Sequence, residues 1–227
     1  MGQSSVIDSE GLEQFELSDS PIRFGHLRYQ EVSTHNLVCW NDGVWMHKHA
    51  AYAFLEMNNA MHRDGVVPVI IKNAYRSYDD QADKFDQYRV KKNFGMLKTL
   101  TRVALPGHSE HHTGFAIDIR LPKSHSSQRL SRSDSYKWLK SHAHEYGFFE
   151  SYKKDNILGV IFEPWHWCFN ACAESRALFS TRSPLLRNID PSDQTLLDII
   201  RSNDPIKNGS DDLFQKFPKI YSALVTH

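Results

Sequence analysis

Residues 113–121, TGFAIDIRL, set Phe115, Ile117 and Ile119 in alternation with Ala116, Asp118 and Arg120. No other stretch constrains the fold as strongly. A period of two belongs to a β-strand with one face in a core, so Asp118 points away from that apolar face, where a cleft can form. The strand follows a polar run, PGHSEHH (106–112). From Pro106 to Ile119 the chain therefore carries three histidines, a glutamate and an aspartate, ending on a rigid element.

Around this strand, helical and extended patterns interleave. HAAYAFLEMNNAMHR (49–63) repeats apolar residues at Ala50, Ala53, Phe54, Met57 and Met61, a helix closed by Asp64-Gly65. The β-branched run in VVPVIIKNAYRS (66–77) predicts a buried strand leaving into a loop. SYDDQADKFDQYRVKKN (77–93) predicts a helix capped by Ser77, with acidic residues in its first turn. RVKKNFGMLK (89–98) reads as a solvated helix face. SDSYKWLKSHAHEYGF (133–148) is an amphipathic helix ended by Gly147. ILGVIFEPWHWCF (157–169) predicts a strand, a break at Pro164 and a short further strand.

The glycine-rich turns of a doubly wound sheet are missing, so the expected class is α+β with a small, mainly antiparallel sheet flanked by helices. We divide the chain into a polar N-terminal segment (1–35), a central domain (36–179) and a helical C-terminal extension (180–227). The apolar positions of the extension, such as Leu196, Leu197, Ile200, Leu213, Phe214 and Phe217, need a surface to cover.

Twenty-seven basic residues balance twenty-seven acidic ones, which argues against a nucleic-acid or anionic-membrane partner. No apolar run reaches the ~18 residues of a membrane span. The chain as given opens without the basic and apolar regions of a signal peptide. Three cysteines, Cys39, Cys168 and Cys172, make no disulfide framework. The spacing of Cys168 and Cys172 suits a helix turn, and we read them as buried thiols.

Zinc in a hydrolase takes three ligands from His, Asp or Glu and keeps a position for water. His111 and Asp118 offer two. FEPWHW (162–167) brings both a third, His166, and a carboxylate that can act as base, Glu163. Pro164 biases Glu163 toward an extended conformation, and Trp165 and Trp167 offer apolar walls. A histidine in a soluble protein is nonetheless more often a surface or core residue than a ligand, and this chain has thirteen. His108 and His112 compete with His111, and spacing does not choose among the three.

Four segments together carry a resemblance: NAYRSYDDQ (73–81), PGHSEHHTGFAIDI (106–119), WLKSHAHEYGF (138–148) and FEPWHW (162–167). In this order they resemble the signatures of the VanY-like D-alanyl-D-alanine carboxypeptidases, members of the LAS group of zinc peptidases. The likeness runs across residues 45–170. It implies a LAS/hedgehog-like fold, one Zn²⁺, and peptidoglycan stem peptides as substrate. By the same resemblance His111, Asp118 and His166 match the zinc ligands, Glu163 the general base, and Arg76 the arginine over the substrate carbonyl. Gln81 and Ser109 match positions lining the substrate side, whereas His108 and His112 fall at variable positions. Two departures stand out. Asn73-Ala74 replaces a common Ser-Gly pair, and Cys168 replaces a basic residue near the site, which bears on substrate anchoring.

The expected function is thus a zinc carboxypeptidase that removes the terminal D-alanine of the stem, acting on the bacterial cell wall in the periplasm or outside the cell. A peptidoglycan endopeptidase, from a phage or delivered to rival cells, is the second reading. A non-catalytic zinc-binding wall module is the third. Glu163 argues against the third, since a structural zinc has no use for a base.

Overall fold

The structure is a computed structural model describing residues 29–179, except 42, 125, 155, 157 and 159, together with a short antiparallel pair, β1 (Val6–Ile7) and β2 (Glu13–Gln14). The C-terminal extension expected over 180–227 lies outside the described residues.

After a hairpin of β3 (Leu37–Asn41) and β4 (Val44–His47) comes α1 (Lys48–Arg63). Its buried residues, Ala50, Ala51, Phe54, Met57, Ala60 and Met61, fall on one face, the spacing expected from sequence. β5 (Ile70–Asn73) leads to α2 (Tyr78–Asp86). Ser77 caps α2 as expected: its Oγ accepts from the Asp80 N–H at 3.1 Å, and the Asp80 carboxylate closes the capping box.

Beyond α2 the chain departs from one continuous solvated helix. A π-turn over Gln87–Lys91 gives way to Asn93 at φ 50, and α3 (Met96–Leu100) starts anew. Lys92 lies over the Tyr88 ring at 3.6 Å and Lys98 over Phe94 at 4.1 Å, so this segment is held by cation–π contacts as well as by hydration.

β6 (Ala116–Arg120) is the predicted alternating strand. α4 (Ser127–Ser131) and α5 (Asp134–His142) follow, then β7 (Phe148–Glu150), β8 (His166–Phe169) and α6 (Ala173–Leu178). The main sheet has the order β5-β6-β8-β7, antiparallel throughout. This is the expected α+β class. Phe115, Ile117 and Ile119 enter the same core as α1, with Phe54 edge-on to Phe148 at 6.4 Å.

Two expectations need correction. The strand predicted from residue 157 is absent among the described residues, because the backbone there bonds to two separate segments. Ile161 N–H donates to Thr101 O at 2.9 Å and Glu163 N–H to Tyr152 O at 3.0 Å. No single neighbour is available to extend a ladder. Cys168 and Cys172 do not share a helix turn either. Cys168 is buried on β8, where it belongs to the core, and half-buried Cys172 caps α6.

The packed body includes residues ahead of 36. Tyr29 is buried, with its N–H on Gly107 O at 2.8 Å, and Val32 N–H reaches His112 O at 2.9 Å. This strap lies across the histidine-rich loop.

Gly147 ends the turn after α5 at φ +78, and a Cβ there would stand 2.4 Å from the Ala171 Cβ. Gly147→Ala is expected to cost about 2 kcal/mol or more, through backbone strain plus the clash. Gly65→Ala, at φ +71 in open space, should cost about 1 kcal/mol. Urea midpoints at unchanged slope measure both.

Candidate metal centre and cleft

The strand registers bring the polar residues together. Asn73 stands opposite Asp118 across β5 and β6, and Asp118 opposite His166 across β6 and β8. His111 comes from a 3-10 turn, Glu110–Thr113, entered through Ser109, whose Oγ accepts from the His111 N–H at 3.4 Å. Gly114 leaves the turn at φ 69, sending the chain directly into β6.

His111, Asp118 and His166 are buried, and their donor atoms lie within 4.8 Å of one another. Asp118 Oδ1 is 3.3 Å from His111 Nε2 and 3.0 Å from His166 Nδ1. His111 Nδ1 is 2.6 Å from the carbonyl of Ala74. A carbonyl only accepts, so the ring proton sits on Nδ1 and Nε2 offers its lone pair to the centre. Burial, with Arg76 nearby, pulls the His111 pKa down to about 3, which keeps this ring neutral. Burial would raise Asp118, but His111 and His166 outweigh it and hold that carboxyl well below its usual range. Two imidazole nitrogens and a carboxylate oxygen converging on one point suit a divalent metal of the zinc class.

The same reasoning settles the competition among the histidines. His112 Nδ1–H donates to Arg76 O at 2.7 Å, and its Nε2 accepts from the Gly107 N–H at 3.0 Å. Both nitrogens are committed to the backbone, so His112 is a strut of the loop. Buried His108 lies outside the convergent group.

Glu163 is placed by a turn in which His166 N–H donates to Glu163 O at 3.0 Å, with Pro164 and Trp165 between. Burial raises its pKa to about 7, Asp118 adding to the rise while His166, Lys84 and Arg76 oppose it. Such a carboxyl can both take and return a proton near neutrality.

Arg76 reaches Gln81 Oε1 through Nη1 at 2.6 Å and stands 3.9 Å from Asp118 Oδ2 through Nη2. Gln81 is buried, and its Nε2 donates to Ala104 O at 2.5 Å. Both ends of that amide are engaged in bracing Arg76, and Ser109 is engaged in capping His111. The structure thus brings Arg76 to the centre and puts Gln81 and Ser109 behind it. Trp167 is a correction: it points into the core, with Nε1 on Pro164 O at 3.0 Å, because it alternates with His166 along β8. Half-buried Trp165 packs at the edge of that core.

Several residues carry weight that sequence reasoning missed. Asn73 Nδ2 donates to Asp118 Oδ2 at 3.2 Å, turning the second carboxylate oxygen away from the centre. The Tyr152 ring lies 5.1 Å from that of His166. Arg76 and Asn73 also line a cleft of ≈ 940 Å³ whose wall includes Lys72, Lys84 and Tyr88. Burial and the neighbouring Arg76 lower the Lys84 pKa to about 8, with Asp118 and Glu163 acting in the opposite sense. None belongs to a metal-ligand spacing; only the register and the fold of α2 over the sheet place them here.

Replacing Gln81 by Ala strands the Ala104 carbonyl and removes a partner of the Arg76 guanidinium. It should lower stability by about 1–3 kcal/mol, measured by denaturant unfolding.

A sequence model of the VanY family, D-alanyl-D-alanine carboxypeptidase, matches residues 43–172. A D-alanyl-D-alanine carboxypeptidase of Enterococcus faecalis is 33% identical over 121 residues, 49% of this chain and 43% of the relative. A bifunctional D-Ala-D-Ala dipeptidase and carboxypeptidase, VanXYC of Enterococcus gallinarum, is 30% identical over 130 residues, 55% of this chain and 67% of the relative. Among solved structures, VanYB in complex with D-alanine-D-alanine superposes with a TM-score of 0.52 at 25% identity, covering 67% of this chain and 84% of that one. The chain spans less than half the length of the Enterococcus faecalis relative. With the match running from the β3–β4 hairpin through His111, Asp118 and His166 to the cap of α6, this chain belongs to the VanY family of D-alanyl-D-alanine carboxypeptidases.

Proposed function

We propose that the protein is a zinc-dependent carboxypeptidase that releases the terminal D-alanine from peptidoglycan stem peptides, with the bacterial cell wall as its place of action. The observation that carries this reading is the convergence of two imidazoles and a carboxylate beside a second carboxyl, Glu163, whose pKa burial has raised to about 7. Family membership and a solved relative holding D-alanine-D-alanine support the substrate class.

His111, Asp118 and His166 would hold the zinc. When bound, zinc supplies Lewis acidity toward a water and toward the scissile carbonyl. The chain's own residues then do the following. Glu163 takes the proton of the attacking water and delivers it to the departing amine of D-alanine, so one carboxyl serves as base and then as acid. Arg76, braced by Gln81, turns its guanidinium to the negative charge that gathers on the carbonyl oxygen, or clasps the terminal carboxylate. Asn73 keeps Asp118 oriented while this charge moves. In this reading Gln81 and Ser109 act from behind the substrate side, through the Arg76 and His111 groups they hold in place.

Zinc should bind the wild-type protein at one ion per chain and be lost from a His111→Ala, His166→Ala double variant, as read by metal analysis after dialysis. Glu163→Gln should keep its zinc but lose about 10²-fold or more in turnover, the scale of general-base catalysis. The assay is cleavage of defined muropeptides followed by mass spectrometry. Loss of a single alanine supports the proposal, release of a larger fragment points to an endopeptidase, and inertness of the zinc-loaded wild type would make this a binding module.

A further inference from the structure

His166 differs from His111 in what holds its other nitrogen. His111 leans on a backbone carbonyl, whereas His166 Nε2 is 2.8 Å from Oε2 of Glu110. Glu110 neighbours His111 on the 3-10 turn, yet its side chain turns toward β8 and is wholly buried. Ser151 Oγ–H donates to the same Oε2 at 2.6 Å, and the Tyr29 hydroxyl stands 3.5 Å from Oε1. Ser151 is itself tied to the ligand strand, its N–H reaching His166 O at 3.4 Å. Three segments distant in sequence therefore meet on one carboxylate.

We propose that Glu110 is the positioning residue of the metal centre: its carboxylate accepts from His166 Nε2–H, and so keeps Nδ1 free of its proton and aimed beside Asp118 as a metal donor. This rests on the metal-centre reading above.

The chemistry follows from a count of protons. To act as a metal ligand an imidazole keeps one N–H and one lone pair, and His166 has a carboxyl oxygen at each nitrogen, Asp118 at 3.0 Å and Glu110 at 2.8 Å. A proton on Nδ1 would face Asp118 and leave no lone pair toward the metal. Asp118 already receives a hydrogen bond from Asn73 and faces His111. Glu110, at the opposite nitrogen, already accepts from Ser151 and presents the same Oε2 to His166 Nε2. A carboxylate behind a ligating histidine fixes the tautomer and raises the basicity of the ligand, and loss of such a partner costs about 10–100-fold in metal affinity. Tyr29 and Ser151 keep the carboxylate from being a bare buried charge.

Two measurements test this. In metal-free wild type with ¹⁵N-labelled histidine, NMR should find His166 with a proton on Nε2 and none on Nδ1; an unprotonated Nε2 or a proton on Nδ1 would overturn the proposal. This readout needs no variant to fold and no zinc to bind. The second is the zinc dissociation constant by competition with a chromophoric chelator. Glu110→Ala should weaken zinc by about 10–100-fold, with Glu110→Gln, which keeps shape and a neutral acceptor, lying between it and wild type. Equal affinity in wild type and a folded Glu110→Ala, judged by thermal melting, would also overturn it. Wild type that binds no zinc while showing the Nε2 proton would sink the zinc reading and leave the role of Glu110 toward His166 intact.

Discussion

The pairing of Asp118 with His166 across β6 and β8 is the contact on which the site depends. The two residues are 48 positions apart in the chain, and only antiparallel register makes them neighbours. A slip of one residue would turn both sets of side chains to the opposite face, exchanging Asp118 for a core isoleucine and His166 for Trp167. The register is pinned from the apolar side, since Phe115, Ile117 and Ile119 must enter the core under α1. Packing thus fixes the position of the ligands. Asn73 on β5 and Ser151 just after β7 continue the same row, so the strands supply Asp118, His166 and the residues bonded to them.

Burying so many ionisable groups at one point is costly unless each finds a partner. The arrangement meets this by pairing. Asp118 lies among His111, His166, Asn73 and Arg76, and Glu110 among His166, Ser151 and Tyr29. Glu163 is the carboxyl beside them whose pKa burial raises to about 7. At Asp118 the neighbouring imidazoles outweigh the same effect of burial. The histidine-rich loop adds rigidity: His112 is bonded to the backbone at both nitrogens, and the strap through Tyr29 and Val32 closes over it.

Much of this was legible in the sequence, and the limits of that reading have physical causes. Period-two alternation located β6 and put Asp118 off its apolar face, and the Ser77 cap located α2. The motifs named His111, Asp118, His166, Glu163 and Arg76, which the fold brings together. What spacing alone left open was which of three histidines faces inward, because the His111 and His112 rings are set by long-range bonds to carbonyls 37 and 36 residues away. Glu110 was visible as a letter in the motif but not as a partner of His166, since that contact spans 56 residues. The apolar run before Pro164 read as a strand because composition reports burial, whereas ladder formation needs a free neighbouring edge. Trp167 read as a site wall for a related reason: adjacency to His166 in sequence means the opposite face on a strand.

The central claim is that one zinc ion sits among His111, Asp118 and His166. Anomalous diffraction at the zinc edge from crystals of the zinc-loaded protein tests it directly. The account predicts a single strong peak within bonding distance of His111 Nε2, one Asp118 carboxylate oxygen and His166 Nδ1, with Glu163 beside it but not coordinated. A peak held by His108 or His112, or none at this point, would contradict it.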